Sequence, residues 1–373
     1  MPIIFIMKKT VFLTLRTSFT MLCCLIFTIC GGIFFSNTLS AQDLNQTGPV
    51  NLQGEVRIDY QGDYVNGEYI KSNSGFKGKY VNVILFGNIS ESFSYSYRQR
   101  LNKAHADQSF FDATDWAYLT YHANKNWSIS AGKQVVGIGG YEYDRAPIDL
   151  YFCSEFWNNI PCYQLGASLS YATSNGNDKF TFQVCESPFN MPDEVMYGYN
   201  LMWYGSHGWF NTIYSANMFE YMPDKYICYL ALGNEFVLGQ NTRLRLDLMN
   251  RATGNHTFFF KNYSIMGELA YNVREKLNIF GKAVRDVNKT GVPGDYCILP
   301  GTELTRVGAG VEFYPLPKGN RSVRLHATYC YTFGDNGNPA GTSLPEQSLF
   351  SIGLKWKIDI VSLAKKIDSK QSR

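Results

Sequence analysis

Several side chains in this sequence are of types that carry chemistry. Glu142 and Asp144, and further on Asp149 and Glu155, are close enough in sequence for either pair to share acid and base work. His122 and His326 could activate a hydroxyl, and Gly137, Gly139 and Gly140 form a cluster of the kind that cradles phosphate. The surroundings argue against each reading. Tyr141-Glu142-Tyr143 follows the glycines where a nucleotide loop would open a helix. No G-x-S-x-G ties a serine to either histidine, and neither H-E-x-x-H nor G-x-x-x-x-G-K occurs. The carboxylates therefore read as charges on a loop, and no enzyme is expected, although a membrane-embedded hydrolase stays as a minor alternative. Six cysteines follow residue 41, and with five scattered histidines they fit no zinc spacing, so no metal or other cofactor is expected. Only Cys153 and Cys162 are neighbours in sequence; they are either a disulfide or two small buried thiols.

The unevenly placed side chains are the basic ones. Where polar and apolar residues alternate most clearly, the polar face carries Arg57, Arg98, Arg100, Arg243, Arg245, Arg251, Arg306, Arg324, Lys355 and Lys357. The same faces carry only Glu55, Asp59, Asp247, Glu312 and Asp359. The formal charge of +3 comes entirely from Lys8, Lys9 and Arg16 in the first 41 residues, leaving 31 basic against 31 acidic residues. A neutral chain lacks the cationic surplus of a dedicated nucleic-acid binder. The balancing acids, including Asp107, Glu142, Asp144, Asp149, Glu155, Asp193 and Glu194, fall in long connections. The expectation is a basic interior and an acidic outer rim. Either the basic faces favour anions, or they pair with nearby acids and stiffen a wall.

The elements that must position these residues are β-strands. Apolar residues recur at every second position over about ten residues at a time. Examples are Val56-Ile58-Tyr60, Leu244-Leu246-Leu248 and Leu325-Ala327-Tyr329-Tyr331. Connections alternate between short (87–91, 124–126, 174–178, 207–208, 238–241, 274–276, 315–320) and long (62–75, 103–111, 137–161, 186–196, 221–225, 252–261, 288–303, 334–347). That order joins sixteen strands. The faces blur over 76–86, 197–206, 226–237 and 277–287, which leaves fourteen or eighteen as alternatives. An even number of antiparallel strands, with turns at one rim and loops at the other, predicts an all-β transmembrane antiparallel barrel. Aromatics near strand ends, such as Tyr60, Tyr121, Tyr171, Phe313, Phe333 and Trp356, suit the two headgroup belts better than a soluble sandwich core. Residues 1–41 have the order of a secretory signal peptide, with an uncleaved anchor as the alternative, 42–360 make the barrel, and 361–373 are a C-terminal tail. The expected location is the bacterial outer membrane, with lipid as surrounding partner.

The longest connection, 137–161, either folds into the lumen or lies over its mouth. Folded inward, Glu142, Asp144, Arg145, Asp149 and Glu155 would line a constriction, with Tyr141, Tyr151, Phe152, Phe156 and Trp157 packing it to the wall. The wall's own contribution would be Arg57, Arg98, Arg100, Arg243, Arg245, Arg306, Arg324 and Lys355.

Short segments add a resemblance. Gly75-Phe-Lys-Gly-Lys-Tyr80, Ser94-Tyr-Ser-Tyr-Arg-Gln-Arg-Leu101, Ala131-Gly-Lys-Gln134, Gly139-Gly-Tyr-Glu-Tyr143, Pro147-Ile-Asp-Leu-Tyr151 and Gly308-Ala-Gly-Val-Glu-Phe-Tyr-Pro315 are similar to the phosphate-selective porins O and P and their Bacteroidetes relatives. The resemblance implies a sixteen-stranded channel, a constricting third loop, a homotrimer and an arginine ladder, for which Arg98, Arg100, Arg243, Arg245 and Arg324 are candidates. The expected function is passive diffusion of small hydrophilic solutes with a mild preference for anions such as phosphate. The alternative is a structural or receptor-like barrel closed by its third loop.

Overall fold

A computed structural model describes residues 48–361, apart from 104–108, 192, 255–259, 318–319, 340 and 342. The leader expected over 1–41 lies outside the described residues, as does the tail beyond residue 361. The alternating segments form seventeen strands: β1 (Asn51–Val65), β2 (Glu68–Tyr69), β3 (Gly75–Asn88), β4 (Phe93–Arg100), β5 (Thr114–His122), β6 (Trp127–Val135), β7 (Tyr163–Ala172), β8 (Asp178–Glu186), β9 (Tyr197–His207), β10 (Phe210–Met222), β11 (Lys225–Leu238), β12 (Thr242–Ala252), β13 (Asn262–Arg274), β14 (Leu277–Asn288), β15 (Thr302–Phe313), β16 (Val323–Asp335) and β17 (Gln347–Asp359). β2 is a two-residue ribbon that folds back on β1 at Tyr64–Tyr69. The other sixteen pair antiparallel with their neighbours in chain order. β1 closes the ring by pairing with β17 from Gln53–Asp359 to Val65–Gln347.

Period two sorts the wall into two faces. In register Arg57 lies opposite Lys355 and Ile58 opposite Leu354, so charged rows alternate with apolar rows around the ring. The charged rows are buried inside, whereas Ile58, Ile352, Leu325 and Leu269 are exposed on the outside. An apolar face turned outward is stable only against lipid. Near the turn ends the outer face carries tilted cross-strand aromatic pairs, Phe93 with Tyr121 and Trp127 with Tyr171, whose ring centroids lie 5.1 and 4.8 Å apart.

The order of short and long connections breaks twice. The connection expected as long over 221–225 is a two-residue turn, 223–224, because Asp224 accepts φ of 61° and lets β10 and β11 pair up to Met222–Lys225. The connection after β15, expected as short, runs over 314–322. All six described cysteines are free, so Cys153 and Cys162 are two thiols.

Candidate functional site

The connection between β6 and β7, called L3 here, crosses the inside of the barrel. Its neck closes where the Val136 amide donates to the Cys162 carbonyl at 2.8 Å. From there the chain runs flat against the wall. Gly137 N–H donates to Gln183 Oε1 of β8 at 2.7 Å, and Gly139 N–H donates to Ser215 Oγ of β10 at 2.8 Å. Glycine is required at 139, since a Cβ there would lie 2.7 Å from the Ile213 carbonyl oxygen. One helical turn, α1 (Tyr141–Asp144), follows, and Asp247 of β12 caps it by accepting from the Tyr141 and Glu142 amides at 2.9 and 2.7 Å. A carboxylate at two free amides of a helix start is a charge-assisted pair of bonds.

Beyond α1 the side chains take over. Arg145 forms a fork with both oxygens of Glu268 on β13, at 2.9 and 2.5 Å. A 3-10 turn, Pro147–Asp149, brings Asp149 to the opposite wall, where Oδ1 accepts from Arg324 of β16 and Lys355 of β17, both at 2.7 Å. Arg57 of β1 donates to the carbonyls of Ile148 and Leu150 at 3.2 and 2.5 Å while pairing with Asp59. Tyr151 packs at a tilt against His326 and lies under Arg57, and its hydroxyl donates to Glu312 at 2.7 Å. The return leg meets Lys282 of β14, which donates to the Phe152 carbonyl at 2.9 Å and pairs with Glu142 at 2.6 Å. Arg306 of β15 reaches the Cys153 carbonyl at 3.2 Å. The last piece, α2 (Glu155–Asn159), is capped by Ser154, and Asp286 of β14 holds the Glu155 amide at 2.7 Å.

L3 therefore lies within the lumen and not over its mouth. Residues 50–205 match the family model for phosphate-selective porin O and P. No curated protein matches the sequence. Solved barrels share its fold at low identity. An anion-selective porin from Comamonas acidovorans is 10% identical with a TM-score of 0.58, over 83% of this chain and 99% of that one. The outer membrane channel DcaP of Acinetobacter baumannii gives 13% and 0.57, over 83% and 97%, and the outer-membrane OmpT of Vibrio cholerae 13% and 0.55, over 83% and 97%. The fold is that of an outer-membrane β-barrel.

In this barrel the expected residues fall into three groups. Arg57, Arg306, Arg324 and Lys355 are the wall cations that hold L3. Arg243 and Arg245 stand on β12 beside Glu235 and Glu268. Arg98 and Arg100 share Asp115, and the Arg98 guanidinium lies 3.8 Å over the Trp116 ring. Of the loop residues, Glu142, Arg145 and Asp149 are bound as above, Asp144 accepts from the Tyr204 hydroxyl at 3.1 Å, and buried Glu155 accepts from Asn159 at 3.1 Å. Residues not singled out as site residues also matter: Lys282, Asp247, Glu268, Glu235, Asp286 and Asp115. All lie on strands, and of these only Asp247 had been placed on a polar face.

The expected division into a basic interior and an acidic rim is corrected on both sides. Glu142 and Asp149 sit inside, next to the cations they were meant to face from outside, Glu155 is buried there as well, and the wall adds Asp115, Glu235, Glu268 and Asp286. Yet the two signs are not equally wet. In the Arg243–Glu235 pair the side-chain exposures are 51% and 7%, and in Lys357–Glu55 they are 41% and 10%. Arg145, Arg245 and Arg100 are likewise more exposed than their acids, whereas Asp149 is wetter than its two partners. Burial pushes the Asp149 carboxyl up, but Lys355 and Arg324 outweigh it and hold it below the ordinary carboxylate range. Burial opposes the charge of Arg145, and Glu268 more than restores it. Burial above all pushes Cys153 up to about 12 and Cys162 to about 11, values that leave both as thiols.

Proposed function

We propose that this porin passes small hydrophilic solutes by passive diffusion along the water left beside L3, with a mild preference for anions such as phosphate. The observation that carries the preference is the asymmetry of the lumenal ion pairs, in which the base faces water and the acid is mostly the covered partner. A permeating ion meets guanidinium and ammonium groups first, which lowers the barrier for anions and raises it for cations. The reversal potential of the purified porin in a planar bilayer, under a salt gradient, tests this. A potential on the chloride side supports it; one on the cation side removes the preference.

A second reading, a barrel closed by L3 with a structural or receptor-like role, draws on the apolar cluster inside the barrel. There Phe156 and Ile160 of L3 pack on Phe219, Tyr229 and Ile298. Deleting 143–156 should raise single-channel conductance if L3 narrows an open path, and should create conductance where none existed if it closes one. A hydrolytic role is disfavoured: Ser351 donates to Asp59 at 3.1 Å and not to His326, and although Ser94 Oγ lies 2.9 Å from His122 Nε2, no carboxylate among the described residues is seen to orient that imidazole. A homotrimer fits the trimer form in which OmpT of Vibrio cholerae was solved. Surrounding lipid and small anions complete the partners of this reading.

A further inference from the structure

L3 hangs from one part of the barrel only. Its hydrogen bonds go to β8, β10, β12 to β17 and β1, and among the described residues none reaches β3 to β7 apart from its own neck. The wall it leaves bare is built differently. Leu119, Ile129, Leu169 and Phe182 are exposed on the lipid side, so the residues between them face the lumen. In register these form two rows. Ser94, Thr120, Ser130 and Ser168 run across β4 to β7, and His122, Ser128, Ser170 and Thr181 run across β5 to β8 one step nearer the turns. On the turn side of Arg98 and Trp116, no Asp, Glu, Lys or Arg of β4 to β7 faces the lumen. The charged half of the wall holds the loop, and this half is lined by hydroxyls.

The hydroxyls are joined along the rows. Thr120 Oγ1 and Ser130 Oγ are hydrogen-bonded at 2.8 Å, Ser170 Oγ and Thr181 Oγ1 at 2.9 Å, and Ser168 Oγ donates to Gln134 Oε1 at 2.9 Å. A hydroxyl has one donor and two acceptor sites and can rotate, so a single bond leaves capacity to give or to take another. Thr120, Ser130, Ser170 and Thr181 are half-buried, with a side left to the lumen. An anion takes donors only and a cation acceptors only, whereas the hydroxyls of a polyol do both in turn. On the L3 side of the rows, Trp116 donates its indole N–H to Ser96 Oγ at 2.8 Å, and Tyr118 stands opposite Ser96; both rings are half-buried and offer an apolar face beside a polar tip. A sugar ring presents the matching surfaces, an edge of hydroxyls and a flat face of C–H groups. We propose that the water beside L3 runs down this wall and that β4 to β8 form a lane for neutral saccharides, whose hydroxyls exchange water for Thr120, Ser130, Ser170 and Thr181 as they pass. The lane rests on the porin reading and adds to it a solute class that the charged half of the lumen does not select.

The test places the purified protein in liposomes and compares swelling rates in sucrose with those in a polyethylene glycol of equal hydrodynamic radius, which offers acceptors only. Salt conductance in a planar bilayer is measured alongside. The parent should swell several-fold faster in sucrose. The combined variant Thr120→Val, Ser130→Ala, Ser170→Ala and Thr181→Val removes both partners of each hydroxyl pair, a change that a wall tolerates better than the loss of one. Its sucrose rate should fall about fivefold, the scale of one hydrogen bond, with the glycol rate and the conductance unchanged. If the variant does not insert, the ratio of the two rates in the parent decides alone. Equal rates for the two solutes in the parent, or equal sucrose rates in parent and variant, would overturn the lane while conductance upholds the porin. A parent without salt conductance would overturn the porin reading itself, and the lane with it.

Discussion

Asp149 takes a position that no wall residue could. Its carboxylate is delivered by L3 to two cations on adjacent strands, Arg324 and Lys355, and so it both fastens the loop and neutralises part of the wall. Asp149→Asn should therefore weaken this anchor by about 2–3 kcal/mol, the scale of lost hydrogen bonds to charged groups, and shift permeability further toward anions. Reversal potentials of variant and parent, side by side, check the second effect. The pH behaviour follows from the same contact. The bound carboxyl lies below its ordinary range, so the anchor is complete above the unfolded value near 4 and is lost only as the pH falls through the lower, folded value. Single-channel records should be steady from about pH 8 to 5, with added noise only below about 4. At the same scale, Cys153 and Cys162 carry thiols raised by burial, so an alkylating reagent at pH 8 should label them only after denaturation, as read by mass spectrometry of the intact chain.

L3 is an element without long regular structure, held by polar contacts to the wall from β8 round to β1. Its weakest point in sequence terms, the glycine run, is its tightest in space, because the backbone itself lies against β10. Asp247 then fixes the direction of everything after it by capping α1. Asp247→Ala leaves both amides without their acceptor and should loosen the loop by about 2–4 kcal/mol in total; larger and more variable conductance steps would report it. The sequence shows a long, aromatic and charged third connection, and the two alternatives for its placement could not be separated there. What decides between them are bonds such as Arg324 to Asp149 and Lys282 to Glu142, whose partners are more than a hundred residues apart in sequence. The acids Glu235, Glu268 and Asp286 were also hidden. Glu235 and Asp286 lie in the blurred segments, and none of the three stood on the strands with clear alternation.

At the scale of the whole barrel, lumenal charge is a sum over wall and loop. Reversing Arg243 and Arg245 together to glutamate removes two of the wettest bases and should turn the preference toward cations, a change of sign that reversal potentials read directly. The barrel itself was legible because period two is a local signal repeated along every strand, with turn residues between. It failed locally at 221–225, where Pro223 and Asp224 look like a loop but make the tightest turn of the outer rim.

The seam between β1 and β17 joins the first strand to be synthesised with the last. Until residue 347 and its successors have arrived, the growing sheet has two bare margins whose amides and carbonyls can zip to any other extended chain. Assembly by so distant a pairing is intrinsically slow, so transit across the periplasm demands an escort that keeps those margins apart. A product cut short before Gln347 would never lose them, and proteolysis or clumping, not insertion, would be its fate.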